Sequence, residues 1–282
     1  KMENTFRQKR DVADWVARIG ARCVGNSRLS FAVACAFAGP LLRPGGMESG
    51  GFHFRGDSSS GKTTALRLAA SVYGGQSYMQ RWRTTDNALE AIAAQHCDGL
   101  LILDELAQVD GKVAGECAYM LANEQSKARA SRNGAARARL SWRLLFLSAG
   151  ELGLADHMAE GGKRTRTGQE VRMADIPADA GQGMGAFECL HDAADGAGFS
   201  TLLSSEAAAC HGAVGLAWLQ LCSANAGTLA RSVRQAVAPL AATWVPAGAS
   251  GQVSRVAARF ALVGVAGAMA TAAGLTGWPQ GE

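Results

Sequence analysis

Apolar positions recur at three- and four-residue intervals over residues 11–19 and 29–42, the spacing of one face of a helix. Pro40, Pro44 and the pair Gly45-Gly46 close that stretch, so residues 1–50 are predicted as an N-terminal helical segment. The pattern then changes. Gly51-Phe52-His53-Phe54 predicts a short strand that runs into a loop of glycine and serine. A helix is predicted from Lys62 to about Tyr73, stopped by Gly74-Gly75. A second helix is predicted over 87–96, followed by the unbroken apolar run Leu100-Leu101-Ile102-Leu103 of a strand buried on both faces. Two more strands are predicted at 144–147, ending at Ser148, and at 169–176, ending at Pro177. Strands alternating with helices imply a parallel α/β sheet with right-handed crossovers over residues 51–176.

Beyond Pro177 the texture changes again. No acidic residue occurs between Gly212 and Gly281, and Ala and Gly dominate. Residues 213–221, 228–242 and 252–273 carry small-residue helical patterns, so 177–282 is predicted as a C-terminal all-α domain, entered through a glycine-rich linker at 180–185.

The loop between the first strand and its helix carries the chemistry. Gly56-Asp57-Ser58-Ser59-Ser60-Gly61-Lys62-Thr63 matches GxxxxGK[ST] in full, with Thr64 next. Backbone N–H groups of such a loop, with the N-terminus of the following helix, wrap phosphates. Lys62 then reaches the β- and γ-phosphates of ATP, and the Thr63 hydroxyl ligates Mg2+. Asp104 ends the Leu100–Leu103 run, expected beside the phosphate-loop strand, and is placed to hold Mg2+ as well. Glu105 follows as the group that orients and deprotonates the attacking water. An acidic pair of this kind weakens the case for a small-molecule kinase, which must keep water out. Ser148, at the end of the next strand, is a candidate sensor of the γ-phosphate.

Lys127, Arg129, Arg132, Arg137, Arg139 and Arg143 fall within 127–143 with no acidic residue between them, around Asn133-Gly134, a tight-turn signal. A basic hairpin there suits a phosphate backbone, single-stranded DNA in particular. Lys163, Arg164, Arg166 and Arg172 form a second cluster, from which one arginine can reach a neighbouring subunit's nucleotide in a ring. Arg255 and Arg259, one helical turn apart, are candidates for a lid arginine reaching back to the phosphates.

Composition adds bounds. Hydrophobic residues make up 48% and charged residues 18% of 282, which excludes a disordered chain, and the glycines lack a fixed period, which excludes a fibrous one. A formal charge of +4 permits a nucleic-acid partner without demanding one. The seven cysteines form no CxxC pair and the histidines no HExxH spacing, so a reduced, intracellular protein is expected. The N-terminus is polar and charged, unlike a signal peptide. The uncharged stretch 260–281 is rich in Ala and Gly, and a buried helix pair is expected there rather than a membrane span. A cytoplasmic location without membrane attachment is expected.

GFHFRGDSSSGKTTALRLAASVYGG, WRTTDNALE, LLILDE, YMLANEQSKAR, GQEVRMADIPAD and the closing RVAARFALVGVAGAMATAAGLTGWPQGE resemble the bacterial domain-of-unknown-function family numbered 927, from about Trp15 onward. That family resembles the helicases of mobile genetic elements, which are AAA+ proteins with a hairpin inserted before the sensor strand. The resemblance implies a ring-forming, DNA-dependent ATPase, taken as a hexamer, in replication of an integrated element, phage or plasmid. The expected fold is an AAA+ P-loop core flanked by the two helical segments. The expected activity is an ATP-driven helicase or translocase. An ATP-gated switch or scaffold that binds without translocating is the alternative, and a P-loop kinase the second.

Overall fold

Gly51 has no side chain because none fits: a Cβ there would lie 2.1 Å from the ring of Phe146 on the neighbouring strand. That close approach lies at the centre of the sheet. The computed structural model describes residues 4–127, 138–160 and 171–282. Among them, five parallel strands form one sheet: β1 (Gly50–Arg55), β2 (Gln80–Arg81), β3 (Leu100–Asp104), β4 (Leu145–Gly150) and β5 (Met173–Pro177), in the order β2-β3-β4-β1-β5. With flanking helices this is a P-loop α/β fold. The C-terminal ends of β1, β3 and β4 share one edge, with Gly50 opposite Leu145 and Arg55 opposite Gly150.

Side-chain alternation sorts each strand between two cores. Leu100, Ile102, Leu145, Leu147, Phe52 and Phe54 face one, while Leu101, Leu103 and Phe146 face the other. The first core also receives α1 (Ser27–Ala38), α2 (Lys62–Ser71), and the late helices α6 (Gly196–Ala209), α7 (Ala213–Ala224), α8 (Ala226–Trp244) and α9 (Gly251–Ala272). Segments set apart by sequence texture thus meet in one core: α9 packs on α1, where Ala34 approaches Gly267 closely enough that a Cβ there would sit at 3.3 Å. The second core receives α3 (Asp86–Gln95), α4 (Gly111–Ala122) and α5 (Leu154–Glu160). Buried indoles are satisfied, with Trp15 Nε1 donating to Ser71 Oγ at 2.9 Å and Trp218 Nε1 to Phe37 O at 3.0 Å.

Four expectations are corrected. The acidic strand β3 is not beside β1, because β4 pairs with both and lies between them. Ser148 does not end its strand, since pairing to β1 carries β4 on to Gly150. The last strand starts at Met173, where its register with Gly51 begins. The 260–281 stretch is not a helix pair: α9 ends at Ala272 and the chain turns at Gly274, in the left-handed region at φ +73°, so that Leu275 and Trp278 fold back into the core. Helix α9 is long and apolar enough to cross a membrane, but Arg259, Leu262, Ala266 and Ala270 are buried against the protein.

Candidate functional site

The phosphate loop leaves β1 at Gly56 and enters α2 at Lys62. Ser59 and Gly61 take left-handed backbone angles (φ +61° and +88°), which turn successive amides toward one side. Lys62 is buried, and its Nζ donates to Gly56 O at 2.7 Å, Asp57 O at 2.6 Å and Ser60 Oγ at 3.1 Å. Burial lowers its pKa, opposed by Glu151, Asp104 and Asp57. Glu151 follows β4 at the same sheet edge, an acidic residue just past an apolar strand.

Thr63 and Asp104 line the same cavity although β4 lies between β3 and β1, the strand that leads into the phosphate loop. Burial raises the Asp104 pKa, opposed by hydrogen bonds from the Glu105 N–H, at 3.0 Å, and from the Thr63 side chain. Glu105 itself sits in the left-handed region at φ +62°, an uncommon conformation for a residue with a Cβ. Its carboxylate accepts from Gln108 Nε2 and lies 3.8 Å from Arg81 Nη1.

These residues line a cavity of about 930 Å³, which Ser59, Ser60, Gly61, Lys62, Thr63, Thr64, Asp104 and Glu105 enter from the sheet side. Asp57 and Ser58 are exposed on the outer part of the loop, and Gly56 is half-buried. The Thr64 hydroxyl is engaged by Ser200 Oγ at 2.5 Å, and Arg67 Nη1 donates to Ser204 Oγ at 2.9 Å, so α6 is fastened to α2. The stretch read as a linker forms the opposite wall. Ala186 N donates to Ser60 O at 2.8 Å, and a Cβ on Gly185 would lie 2.5 Å from that carbonyl oxygen. Met184 faces the cavity from there, joined by Phe187 and by Ser200 and Thr201 of α6. Sequence reasoning missed this wall, because glycine richness signals a loop without saying where it docks.

Ser148 is 0% exposed. Its hydroxyl accepts from Trp82 Nε1 at 2.7 Å and meets His53 Nδ1 at 2.9 Å, while His53 Nε2 meets Leu152 O at 2.9 Å. An indole only donates and a carbonyl only accepts, so His53 carries its proton on Nε2 and Ser148 donates to Nδ1. Placed as an internal hydrogen-bond hub, Ser148 has no exposed hydroxyl to offer a γ-phosphate.

The basic insert begins on an antiparallel stem. Ser126 N donates to Leu140 O at 2.9 Å, Trp142 N to Glu124 O at 3.1 Å, and Gln125 bridges Ser141. Lys127 and Arg139 are exposed at its base, whereas Arg129, Arg132 and Arg137 lie outside the described residues. Glu124 holds Arg143 through two contacts of 3.2 Å and accepts from Ser49 N at 2.8 Å, interactions that lower its pKa against the effect of burial. Ser49 precedes β1, so the stem leaves the sheet at the edge opposite the phosphate loop, one strand length or about 20 Å away.

Arg164 and Arg166 also lie outside the described residues. Arg172 sits at the start of β5, its guanidinium 4.3 Å from the centre of the Tyr119 ring and 3.2 Å from Asn123 Oδ1. The lid expectation for Arg255 and Arg259 is corrected. Arg259 is buried against Gly50 and donates to Val171 O at 3.0 Å, and Arg255 pairs with Glu48 at 3.8 Å, all at the edge away from the phosphate loop.

The sequence profile described as Domain of unknown function (DUF927) matches residues 1–141, half of the chain. No curated protein matches. A solved structure described as the active helicase Cch of SCCmec type IV is similar in fold, with a TM-score of 0.73 at 18% identity, covering 96% of this chain. The chain spans about half of that helicase, 49% of its length. A structure of NtrX from Brucella abortus in complex with ATP aligns over 55% of this chain and 37% of its own, with a TM-score of 0.32 at 15% identity, too low to inform the site.

Proposed function

The chain belongs to the DUF927 family, and from that premise we propose that it is an ATP-hydrolysing motor domain of the AAA+ kind, working on DNA as part of a helicase or translocase. One observation carries the reading: Lys62, Thr63, Asp104 and Glu105 line one cavity, and the Thr63 side chain opposes the burial that raises the Asp104 pKa. A hydroxyl and a carboxylate in one cavity are the hard oxygen donors that Mg2+ takes, and these two would hold it. The ion would neutralise charge developing on the β- and γ-phosphates.

The chain's own groups supply the rest. Loop amides and the N-terminus of α2 bind phosphate oxygens. Lys62 exchanges its bonds to the Gly56 and Asp57 carbonyls for bonds to phosphate, a stronger charge-assisted contact. Glu105 orients the water and accepts its proton. The basic hairpin binds single-stranded DNA, and an arginine among Arg164, Arg166 and Arg172 acts across a subunit boundary in a homo-oligomeric, hexameric ring. A cytoplasmic setting and service to a mobile element belong to the same reading.

One observation favours a switch that holds ATP without moving: the Glu105 carboxylate is already engaged by Gln108 and Arg81. ATPase rates with and without single-stranded DNA, and solution mass with a non-hydrolysable analogue, decide between them. The motor predicts DNA-stimulated turnover and ring mass, lost hydrolysis in Lys62→Ala, and retained ATP binding without turnover in Glu105→Gln. Full turnover in Glu105→Gln overturns its role as the base. A wild type that binds ATP and DNA but never hydrolyses establishes the switch.

A further inference from the structure

Three cationic side chains line the nucleotide cavity, Lys62, Arg67 and Arg81, against the two carboxylates of Asp104 and Glu105. Two of the three are committed to protein oxygens. Lys62 Nζ donates to Gly56 O, Asp57 O and Ser60 Oγ, which matches the three donors of an ammonium. Arg81 pairs with Glu105. Arg67 differs. A guanidinium carries five N–H donors, and among the described residues Arg67 makes one hydrogen bond, from Nη1 to Ser204 Oγ at 2.9 Å. The rest of its fork is left for what enters the cavity.

Its place follows from the helix it stands on. Arg67 comes one turn after Thr63 on the same face of α2. Helical side chains lean toward the helix N-terminus, so Arg67 lies back over Thr63 in the direction of the phosphate loop. Its positive charge reaches Asp104, where it opposes the burial that raises that carboxyl's pKa. Arg67 is half-buried, so its charge is screened less than that of a surface arginine. From the other side, α6 offers Ser200 and Ser204, one turn apart, to Thr64 and Arg67.

We infer that Arg67 is a phosphate-binding residue of this cavity, its guanidinium gripping the polyphosphate of a nucleotide while Ser204 steadies the fork. The inference rests on the proposed nucleotide site and names a further residue of it. An arginine fork matches two oxygens of one phosphate group, where the Lys62 ammonium supplies a point charge. The bond to Ser204 fixes the orientation of a long side chain beforehand, so less rotamer freedom is lost when phosphate docks. Three cations against two carboxylates leave the lining net positive, which favours an anionic ligand.

The test titrates the full chain with ATP and with inorganic tripolyphosphate, which has neither base nor ribose, each with and without Mg2+. Arg67→Met keeps a stem of similar length and loses the charge. It is expected to weaken both ligands by a similar factor, at least about tenfold, whether or not the ion is present. An effect through the metal alone has the opposite sign, because removing a cation near Asp104 favours Mg2+. Arg67→Lys keeps the charge without the fork, and its affinities are expected to fall between those of Arg67→Met and wild type. Ser204→Ala breaks the link from α2 to α6 but leaves the guanidinium, and is expected to stay close to wild type. Wild-type tripolyphosphate affinity in a folded Arg67→Met overturns the proposal, as does a loss in Ser204→Ala as large as that in Arg67→Met. Should Arg67→Met not fold, wild-type tripolyphosphate affinity in Arg67→Lys overturns it instead. A wild type that binds neither ligand overturns the nucleotide site on which the proposal rests.

Discussion

The indole of Trp82 donates to the hydroxyl of Ser148 at 2.7 Å, joining residues 66 apart in sequence with both side chains buried. Ser148→Ala removes the acceptor of Trp82 and the donor to His53 together. Leaving such buried groups unpaired costs about 1–3 kcal/mol, and each kcal/mol lowers the melting temperature of a chain this size by roughly 2–4 °C. Calorimetry of Ser148→Ala should register that loss while titration shows ATP affinity close to wild type. Tight melting with lost ATP affinity would instead place Ser148 in contact with nucleotide.

Acid should weaken the fold through His53. Burial pushes its pKa down to about 4 from 6.5, with Lys62 adding to the shift and the bond to Leu152 O opposing it. The unfolded chain binds the proton more readily, so the stabilisation is complete above about pH 6.5 and is lost as pH falls toward 4. The magnitude is on the order of 3 kcal/mol. His96, also lowered by burial, acts in the same direction. Asp104 acts oppositely, because its raised pKa means that protonation on acidification relieves a burial cost. Denaturant unfolding across this range should give a shallower slope for His53→Asn than for wild type. Equal slopes would mean that another group governs the acid transition.

Gly185→Ala should loosen nucleotide binding from the far wall. The residue has φ +63°, and the added Cβ would meet Ser60 O at 2.5 Å. Left-handed strain alone is roughly 1–2 kcal/mol, and undocking the wall from the phosphate loop relieves it. ATP affinity measured by titration is then expected to fall about tenfold. Gly181→Ala is the control, since it carries a similar angle of +84° with no atom within 4 Å of its Cβ. Equal losses in the two variants would detach the effect from the phosphate loop.

The basic residues between Lys127 and Arg143 should set the salt dependence of DNA binding. Each phosphate neutralised on a single strand contributes about −0.7 to the log–log slope. Replacing Arg129, Arg132 and Arg137 together with Ala should flatten it by roughly two. Basal hydrolysis is expected to persist, because the stem leaves the sheet at the edge away from the phosphate loop. DNA affinity at several salt concentrations reads the slope directly. An unchanged slope would move the DNA contact elsewhere.

Sequence by itself determined the local chemistry. Eight consecutive residues from Gly56 to Thr63 state a phosphate loop, the Leu100–Leu103 run followed by Asp104 and Glu105 states its acidic partner, and strand and helix periodicity states the α/β class. These signals are legible because loop geometry and side-chain alternation depend on neighbours along the chain. The tertiary structure decided what lies beside what. It inserted β4 between β1 and β3, turned Ser148 inward to Trp82 and His53, carried Arg259 to the far edge, and docked Gly185 on Ser60. Each outcome depends on strand order and on close packing between segments tens to hundreds of residues apart. No local pattern of apolar and polar positions encodes those distances.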